Sequence, residues 1–262
     1  MTARSTPDAR AKEVLADIVA GPKGYVTEEY LARNALILES VLPDPPRLVV
    51  DVGCGYGALA TTIALLTEAR VVGLDVLEQR AKAVRDRPQA KGRVAVGIAN
   101  VEAGLPIRSG VADLVIASEI IEHLHDPARL FAEARRVLQP GGRLVMTTPN
   151  LGALPYLALR LFPKRFAYRM LGRWVQQNLH PAIVGGTGGH PDDHQREGFT
   201  LDELERGAKA QGFETEDLFT YRIPAPDKML ALFPHRIAAI LAALGAHPLP
   251  AGLELFAVFR RR

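Results

Sequence analysis

Cysteine is almost absent from this chain of 262 residues, because Cys54 is the only one. An intrachain disulfide is therefore excluded, and we expect a reducing compartment such as the cytoplasm. The opening residues, MTARSTPDARAKEV, also lack the apolar core that a signal peptide needs. Together these two absences favour a cytoplasmic protein over a secreted one.

Long apolar runs are absent as well. The longest apolar stretch, MLALFPHRIAAILAALGA, is interrupted by Pro234, His235 and Arg236, whereas a membrane-spanning helix needs about 20 consecutive apolar residues. An excess of charge is also lacking, because the formal net charge of +3 is too small to indicate nucleic-acid binding. With 48% hydrophobic and 23% charged residues, the composition is that of a folded globular protein.

Short apolar segments alternate with helical patterns through the first half of the chain. The predicted strands are residues 47–53, 70–76, 93–100, 111–119 and 141–150, and the predicted helices are residues 57–69, 77–87 and 126–140. Such alternation is typical of a parallel sheet with helices on both faces. We therefore predict a single, doubly wound α/β domain over residues 1–262, with N-terminal helices in residues 1–45.

The second half of the chain carries a capped helix and two further strands. Thr200 and Glu203 form the sequence signature of a capping box, which predicts that a helix begins there and ends near residue 213. The remaining predicted elements are strands at 214–222 and 253–262 and insertions at 151–191 and 225–251. Because both insertions would leave the carboxyl edge of the sheet, we expect them to form a lid.

Acidic residues are absent from the first insertion, between Leu151 and Pro191. Arg165, Arg169 and Arg173 recur there every four residues, which predicts a helix with one basic face. Three interpretations remain open: a lid packed on its own domain, a peripheral contact with an anionic membrane through residues 151–178, and a dimer interface. The chain is accordingly expected to be a monomer or a homodimer.

A glycine-rich loop joins the first predicted strand to the helix after it. Its spacing, Gly53-x-Gly55-x-Gly57, differs from the G-x-G-x-x-G pattern of dinucleotide-binding loops. Asp51 precedes the loop, where a carboxylate would repel a phosphate but can accept a hydrogen bond from an ammonium group. Asp75 ends the next strand, where it can accept from both hydroxyls of a ribose. Either the glycines only form a tight turn, or the loop binds a ligand that has a ribose and an amine.

The motif Asp51-Val-Gly-Cys-Gly-Tyr-Gly57, Asp75 and the strand LQPGGRLVMTTPN resemble the class I S-adenosylmethionine-dependent methyltransferases. The resemblance covers most of residues 30–150 and resumes at about 192–220. It implies a Rossmann-like sheet of seven strands whose last strand is antiparallel. It also implies that Asp51 and the glycine loop bind the methionine part of S-adenosylmethionine, while Asp75 binds the ribose.

The same resemblance implies further contacts with the cofactor. These residues are Arg33, Cys54, Val76, Asn100, Val101 and Ser118. The side-chain oxygen of Asn100 would accept a hydrogen bond from the adenine amino group, and Val101 would offer its backbone N–H to the ring. Arg33 would either bind the methionine carboxylate or be an ordinary surface arginine, and Cys54 would mainly fill space.

A polar segment, SEIIEHLHDP, follows the fourth predicted strand, at the edge where doubly wound sheets bind their ligands. Glu119, Glu122 and His123 lie within it and allow three interpretations. They form a solvated loop, or an acid/base set in which His123 and Glu122 are catalytic, or part of a metal site.

His194, in the segment HPDDHQREGFTLDEL, adds a second imidazole on the loop that leaves the fifth predicted strand. Glu-x-x-Glu-His resembles the ubiquinone-pathway O-methyltransferases, and with the later His it resembles the small-RNA 2′-O-methyltransferases. That resemblance implies that Glu119, Glu122, His123 and His194 bind a divalent cation, which in turn binds two neighbouring hydroxyls of the substrate. Oxygen ligands favour Mg²⁺, although two imidazoles also suit Mn²⁺, Fe²⁺ or Zn²⁺.

These features predict an S-adenosylmethionine-dependent O-methyltransferase whose acceptor is a small, largely apolar hydroxylated molecule. A catechol or another vicinal diol, from secondary metabolism or quinone synthesis, would fit. N- or C-methylation is the nearest alternative. A third alternative, an RNA 2′-O-methyltransferase, would need a basic groove that leads to the site. A module that binds the cofactor without catalysing a reaction is disfavoured, because Asp51, Asp75 and the Glu-x-x-Glu-His motif are all present.

Overall fold

Seven strands form a single sheet in the computed structural model of the chain, which describes residues 13–15, 17–18, 28–90, 92–153, 194–196, 198–221 and 252–262. The strands are β1 (Leu48–Val52), β2 (Arg70–Asp75), β3 (Val94–Ile98), β4 (Ala112–Ser118), β5 (Leu138–Pro149), β6 (Phe213–Tyr221) and β7 (Glu254–Arg261). Their order in the sheet is β3-β2-β1-β4-β5-β7-β6. The last strand is antiparallel, so the predicted Rossmann-like α/β class is confirmed.

Besides the helical residues 13–15 and 17–18, five α-helices accompany the strands within the described part of the chain. They are α1 (Glu28–Val41), α2 (Ala58–Leu66), α3 (Glu78–Arg85), α4 (Pro127–Val137) and α5 (Leu201–Ala210). The helix predicted over 126–140 ends early, at Val137, and β5 begins at once with Leu138. Pro140 supplies the physical reason, because the residue before a proline is sterically disfavoured in a helix.

Hydrogen bonds confirm both predicted helix starts. Ahead of α4, Oδ1 of Asp126 accepts a hydrogen bond from the N–H of Ala128 at 3.1 Å. Ahead of α5, the Thr200 side chain accepts from the N–H of Glu203, whose carboxylate accepts from the N–H of Thr200 at 2.9 Å. This pair of bonds is a complete capping box. The apolar side chains on one face of α4 are buried: Leu130, Phe131, Ala134 and Val137.

The chain divides into two compact units, of which the first consists of Met1–Ala117, Ala132–Val145 and Arg261. In this unit β1 pairs in parallel with β2 and with β4, and β2 pairs in parallel with β3. Val49 and Val50 of β1 are fully buried, as expected of a strand covered on both faces. The register places Asp75, at the end of β2, opposite Ile98 at the end of β3.

The second unit consists of Ser118–Phe131, Met146–Arg260 and Arg262. Three aromatic rings pack together in its interior, with centroids 6.2 to 6.5 Å apart: Phe131, Phe213 and Phe259. The N–H of Asn150, directly after β5, donates to the carbonyl oxygen of Leu253 at 2.7 Å. This bond ties the end of β5 to the start of β7.

Most of the two predicted insertions, 151–191 and 225–251, lies outside the described residues, and so does nearly all of the segment 151–178. The helices predicted in residues 1–45 are described only at 13–15, at 17–18 and as α1. Among the described helices, none combines the length and the apolar character that crossing a bilayer requires.

Candidate functional site

The glycine loop between β1 and α2 is a tight turn bound to the end of β2. The N–H of Gly53 donates to the carbonyl oxygen of Leu74 at 2.7 Å. Gly53, Gly55 and Gly57 all have positive φ angles. At Gly57 a Cβ atom would lie 2.6 Å from Cγ2 of Val84. Glycine is therefore required there by space as well as by backbone conformation.

Asp75 is the last residue of β2, as predicted, and its buried carboxylate organises the loop. One oxygen accepts from the N–H of Gly55 and the other from the N–H of Leu77, both at 2.9 Å. The guanidinium of Arg80 lies 3.8 Å away. Because a carboxylate has about four lone-pair directions, both oxygens can still accept from ribose hydroxyls. The ribose contact of Asp75 stays a prediction from the sequence, and the role of its carboxylate in holding Gly55 was not predicted.

Asp51 is buried beside the glycine loop, with 3% of its surface exposed. Burial first, and then the negative charge of Asp75, raise the pKa of its carboxyl to about 7. Ionising this carboxyl in the ligand-free protein therefore costs free energy, and a nearby ammonium group would offset that cost. The position suits the role that the resemblance implies for Asp51, which is to bind the methionine ammonium.

Helix α1 brings Tyr30 within reach of the charge of Asp51, and Arg33 lies beside Tyr30. The guanidinium carbon of Arg33 lies 5.7 Å from the centre of the Tyr30 ring. Burial raises the pKa of the Tyr30 hydroxyl, the positive charge of Arg33 opposes that shift, and the negative charge of Asp51 adds to it. The contact of Arg33 with the methionine carboxylate stays a prediction; Tyr30, one turn earlier on the same helix, was not predicted to lie near Asp51.

Asn100, Val101 and Val76 lie beyond the ends of β2 and β3. Oδ1 of Asn100 accepts from the N–H of Glu102 at 2.9 Å, which closes a turn and leaves a lone pair for an adenine amino group. Val101 is buried, whereas Val76 is 45% exposed and Ile98 is 52% exposed. Exposed aliphatic side chains at the ends of neighbouring strands are suited to contact a planar base. Sequence reasoning missed Ile98.

Cys54 packs inside the first unit. It belongs to a buried apolar cluster with Val84 and Ala90, and burial raises the pKa of its thiol well above the usual range. Because the thiolate is the reactive form of cysteine, these surroundings support a space-filling role and argue against a nucleophile.

Ser118 and Glu119 begin the polar segment at the end of β4. The hydroxyls of Ser118 and Thr147 are hydrogen-bonded at 2.9 Å, and the N–H of Glu119 donates to the carbonyl oxygen of Thr147 at 3.0 Å. Glu119 has a φ of 54°, the only positive φ of a non-glycine residue in the described part of the chain. Such conformations cost free energy and cluster at functional sites, which supports a functional role for this turn.

Glu122 is fully buried in the short turn that follows. The hydroxyl of Thr148 donates to its Oε2 at 3.0 Å. Its backbone carbonyl oxygen accepts two hydrogen bonds, from the N–H of Gln195 at 2.9 Å and from the N–H of Arg196 at 3.2 Å. These backbone bonds fasten the segment that contains His194 to the polar segment.

His123 and His194, far apart in sequence, lie side by side as a result. Their ring centroids are 4.4 Å apart and the rings meet edge to face, at 85°. Glu122, His123 and His194 each offer one ligand atom, and these atoms all lie within 4.8 Å of one another. Donors that share one cation at about 2.0–2.3 Å lie about 3–4.5 Å apart, so this group is a candidate site for a divalent ion and would have to close slightly around it. Glu119 is not part of this group, so three of the four predicted ligands come together.

The chain is similar in sequence to methyltransferases. Residues 50–146, which contain the glycine loop, Asp75 and the polar segment, match a family model described as a methyltransferase domain. The ubiquinone biosynthesis O-methyltransferase of Thiobacillus denitrificans is 32% identical over 174 residues, covering 65% of this chain and 66% of that protein. The chain spans between 37% and 66% of the length of the curated relatives it matches.

Solved structures share the fold at low sequence identity. An S-adenosylmethionine-dependent methyltransferase from Mesorhizobium loti is 20% identical, with a TM-score of 0.57 over 87% of this chain and 98% of that one. The [4+2]-cyclase SpnF is 17% identical, also with a TM-score of 0.57, over 96% of this chain and 92% of that one. Because a transferase and a cyclase share this fold, the function has to be argued from the residues of the site.

Proposed function

The chain belongs to the class I S-adenosylmethionine-dependent methyltransferases, and we propose that it methylates an oxygen atom of a small hydroxylated molecule. The observation that carries this proposal is the convergence of Glu122, His123 and His194. Such a donor set can bind a divalent cation, and a cation promotes loss of the proton from a hydroxyl. Methylation of a neutral amine does not require that step.

The first unit supplies the contacts with S-adenosylmethionine under this proposal. Asp75 accepts hydrogen bonds from the ribose hydroxyls, Asp51 binds the ammonium group, and Arg33 binds the carboxylate. Both aspartates are only 3% exposed, and buried carboxylates are costly unless cations or hydrogen bonds compensate them. When bound, the cofactor supplies an electrophilic methyl group, and these side chains hold it in a defined orientation.

Transfer to oxygen forms a carbon–oxygen bond, breaks a carbon–sulfur bond and requires the acceptor hydroxyl to lose its proton. Glu122, His123 and His194 would hold a divalent cation, which lowers the pKa of a hydroxyl bound to it, so that the proton leaves to solvent. Thr148 orients Glu122 through its 3.0 Å hydrogen bond. In the alternative without a cation, His123 accepts the proton and Glu122 assists it.

The three converging ligands also bear on the identity of the cation. The four residues expected from the sequence include two carboxylates, which favour a hard cation such as Mg²⁺. Two imidazoles with one carboxylate suit Mn²⁺, Fe²⁺ or Zn²⁺ better. We therefore propose that a transition metal supports turnover better than Mg²⁺ at equal concentration.

The proposed acceptor is a catechol or another vicinal diol, because one cation can bind two neighbouring oxygens. Similarity to proteins named as ubiquinone biosynthesis O-methyltransferases supports an aromatic hydroxyl. The alternatives of N- and C-methylation, of RNA methylation, and of cofactor binding without chemistry each predict a different product in one assay.

The test incubates the purified protein with S-adenosylmethionine and matched acceptors, namely catechols, aromatic amines, carbon acids and short RNA, and identifies products by mass spectrometry. Oxygen-methylated catechol is expected. EDTA should abolish its formation and Mn²⁺ should restore it, while S-adenosylmethionine affinity measured by calorimetry changes less than about twofold. Methylation of amines alone would contradict the proposal. If EDTA leaves turnover unchanged but His123→Ala abolishes it, the site works by acid/base chemistry and does not use a cation.

A further inference from the structure

Arg196, two residues after His194, has a side chain held at three points. Its Nε donates to the carbonyl oxygen of Gly198 at 2.8 Å, and its Nη2 donates to Oε1 of Glu203 at 3.3 Å. Its guanidinium carbon lies 3.8 Å from the centre of the Phe199 ring, which is within cation–π distance. The side chain is therefore fixed although 35% of it is exposed.

The groups that hold Arg196 are themselves anchored. The N–H of Phe199 donates to the carbonyl oxygen of Pro149, at the end of β5, at 2.9 Å. The second carboxylate oxygen of Glu203 accepts from the N–H of Thr200 at 2.9 Å, as part of the capping box of α5. Arg196 is thus attached both to the end of β5 and to the start of α5.

The backbone of the same residue reaches the polar segment. The N–H groups of Arg196 and Gln195 both donate to the carbonyl oxygen of Glu122, at 3.2 and 2.9 Å. Fixing the side chain of Arg196 therefore also fixes the peptide that carries His194. The centroid of the His194 ring lies 4.4 Å from that of the His123 ring.

We propose that Arg196 is a positioning residue that holds His194 in the ligand group with Glu122 and His123. The inference rests on the proposed function, because the placement of His194 matters only if the group binds a cation or an acceptor. An exposed ion pair alone contributes little to stability. A guanidinium adds a planar fork of donors and a stacking face, neither of which lysine supplies.

The experiment compares Arg196→Ala and Arg196→Lys with Arg206→Ala as a matched control. Arg206 pairs with Asp202 at 2.8 Å on the exposed surface of α5, so its loss removes an arginine ion pair without touching the His194 segment. Three quantities are measured in the full chain. They are the nuclear Overhauser contact between the His123 and His194 rings, the hydrogen exchange rate of the Gln195 amide, and the affinity for Co²⁺ from its visible spectrum.

In Arg196→Ala the ring contact should weaken or disappear, and the Gln195 amide should exchange at least about tenfold faster because its local opening is easier. Affinity for Co²⁺ should fall by about 10- to 100-fold, the range for residues that orient a metal ligand. S-adenosylmethionine affinity should stay within about twofold, because its proposed contacts lie elsewhere. Arg196→Lys should be intermediate, and Arg206→Ala should match the parent.

An unchanged ring contact and unchanged Co²⁺ affinity in Arg196→Ala would overturn the proposal. Equal acceleration of exchange along all of α5 would overturn it too, because Arg196 would then only stabilise the helix start. If Arg196→Ala does not fold, Arg196→Lys and Glu203→Gln carry the same comparison, since glutamine preserves the capping box. A parent that binds no Co²⁺ and methylates no oxygen would contradict the proposed function instead. The ring contact and the amide exchange would still decide the role of Arg196.

Discussion

The glycine loop and the cluster of Glu122, His123 and His194 are held by different kinds of contact. In the glycine loop, the buried Asp75 binds backbone N–H groups of nearby turns, including that of Gly55 at 2.9 Å. In the cluster, two segments on either side of a long insertion meet because one carbonyl oxygen, that of Glu122, accepts from two N–H groups.

This difference shows where each region is vulnerable. The loop depends on glycine conformations and on buried carboxylates, one of which, Asp51, has a raised pKa. The cluster depends on the placement of a short segment that carries His194. Because each ligand is proposed to contact residues of one region only, substitutions should change the affinity for one ligand and spare the other.

The largest expected effect follows from His194→Ala, which removes one of three converging donors. Turnover should fall at least about 100-fold, because the two remaining donors bind a cation far more weakly. S-adenosylmethionine affinity, measured by calorimetry, should stay within about twofold. His125→Ala is the matched control, since His125 is an exposed imidazole of the same polar segment. If His194→Ala and His125→Ala lose turnover equally, His194 has no special role as a cation ligand.

Asp75→Ala should produce the converse pattern. Each lost hydrogen bond to a charged acceptor costs about 1–3 kcal/mol, so the dissociation constant for S-adenosylmethionine should rise at least about tenfold. Asp75→Asn, which keeps the volume and one acceptor oxygen, should lose less. Affinity for Co²⁺ should not change in either variant. Unchanged calorimetric affinity for S-adenosylmethionine would mean that the ribose is bound elsewhere.

Asp51→Asn separates binding from stability. The pKa of the Asp51 carboxyl is about 7 in the folded chain, against an ordinary value of 3.8 for an aspartate. The folded state therefore holds a proton that the unfolded state has lost, so stability falls as the pH rises from about 4 to about 7. Above that window the ionised carboxylate destabilises the ligand-free protein by on the order of 1–4 kcal/mol.

At pH 8 the ligand-free Asp51→Asn variant should therefore melt at a higher temperature than the parent, while its affinity for S-adenosylmethionine falls. At pH 4 the two melting temperatures should converge. In the parent, S-adenosylmethionine should bind more weakly as the pH falls below about 7, because the protonated carboxyl no longer attracts the ammonium group. If the variant and the parent have identical melting curves at both pH values, burial does not raise the pKa of the Asp51 carboxyl.

The smallest expected effect distinguishes two glycines of the loop. Gly57 and Gly55 both have positive φ angles, but an added Cβ would meet Val84 at 2.6 Å only at Gly57. Each alanine should cost about 1 kcal/mol through its backbone conformation, and Gly57→Ala should cost about 1–3 kcal/mol more through the clash. Thermal unfolding of the two variants should rank them in that order. Equal melting temperatures would mean that Val84 moves freely.

Much of the fold and part of the site could be predicted because their signals are local. Asp75 at the end of β2 and the capping box of Thr200 and Glu203 depend on residues close in sequence, and both lie where predicted. Arg196 and Ile98 could not be found in this way. The role proposed for Arg196 rests on its contacts with Gly198, Phe199 and Glu203, and a contact of Ile98 with the cofactor would rest on its exposure at the end of β3.

By itself, the sequence determined the alternation of strands and helices and the place of the glycine loop, because these follow from periodicity, turn chemistry and capping within a few residues. Only the tertiary structure decided which polar side chains converge. It brings His194 to Glu122 and His123 and leaves Glu119 outside that group. It also raises the pKa of Asp51, through burial and the charge of Asp75. Convergence and burial depend on long-range contacts, which no short window of sequence contains.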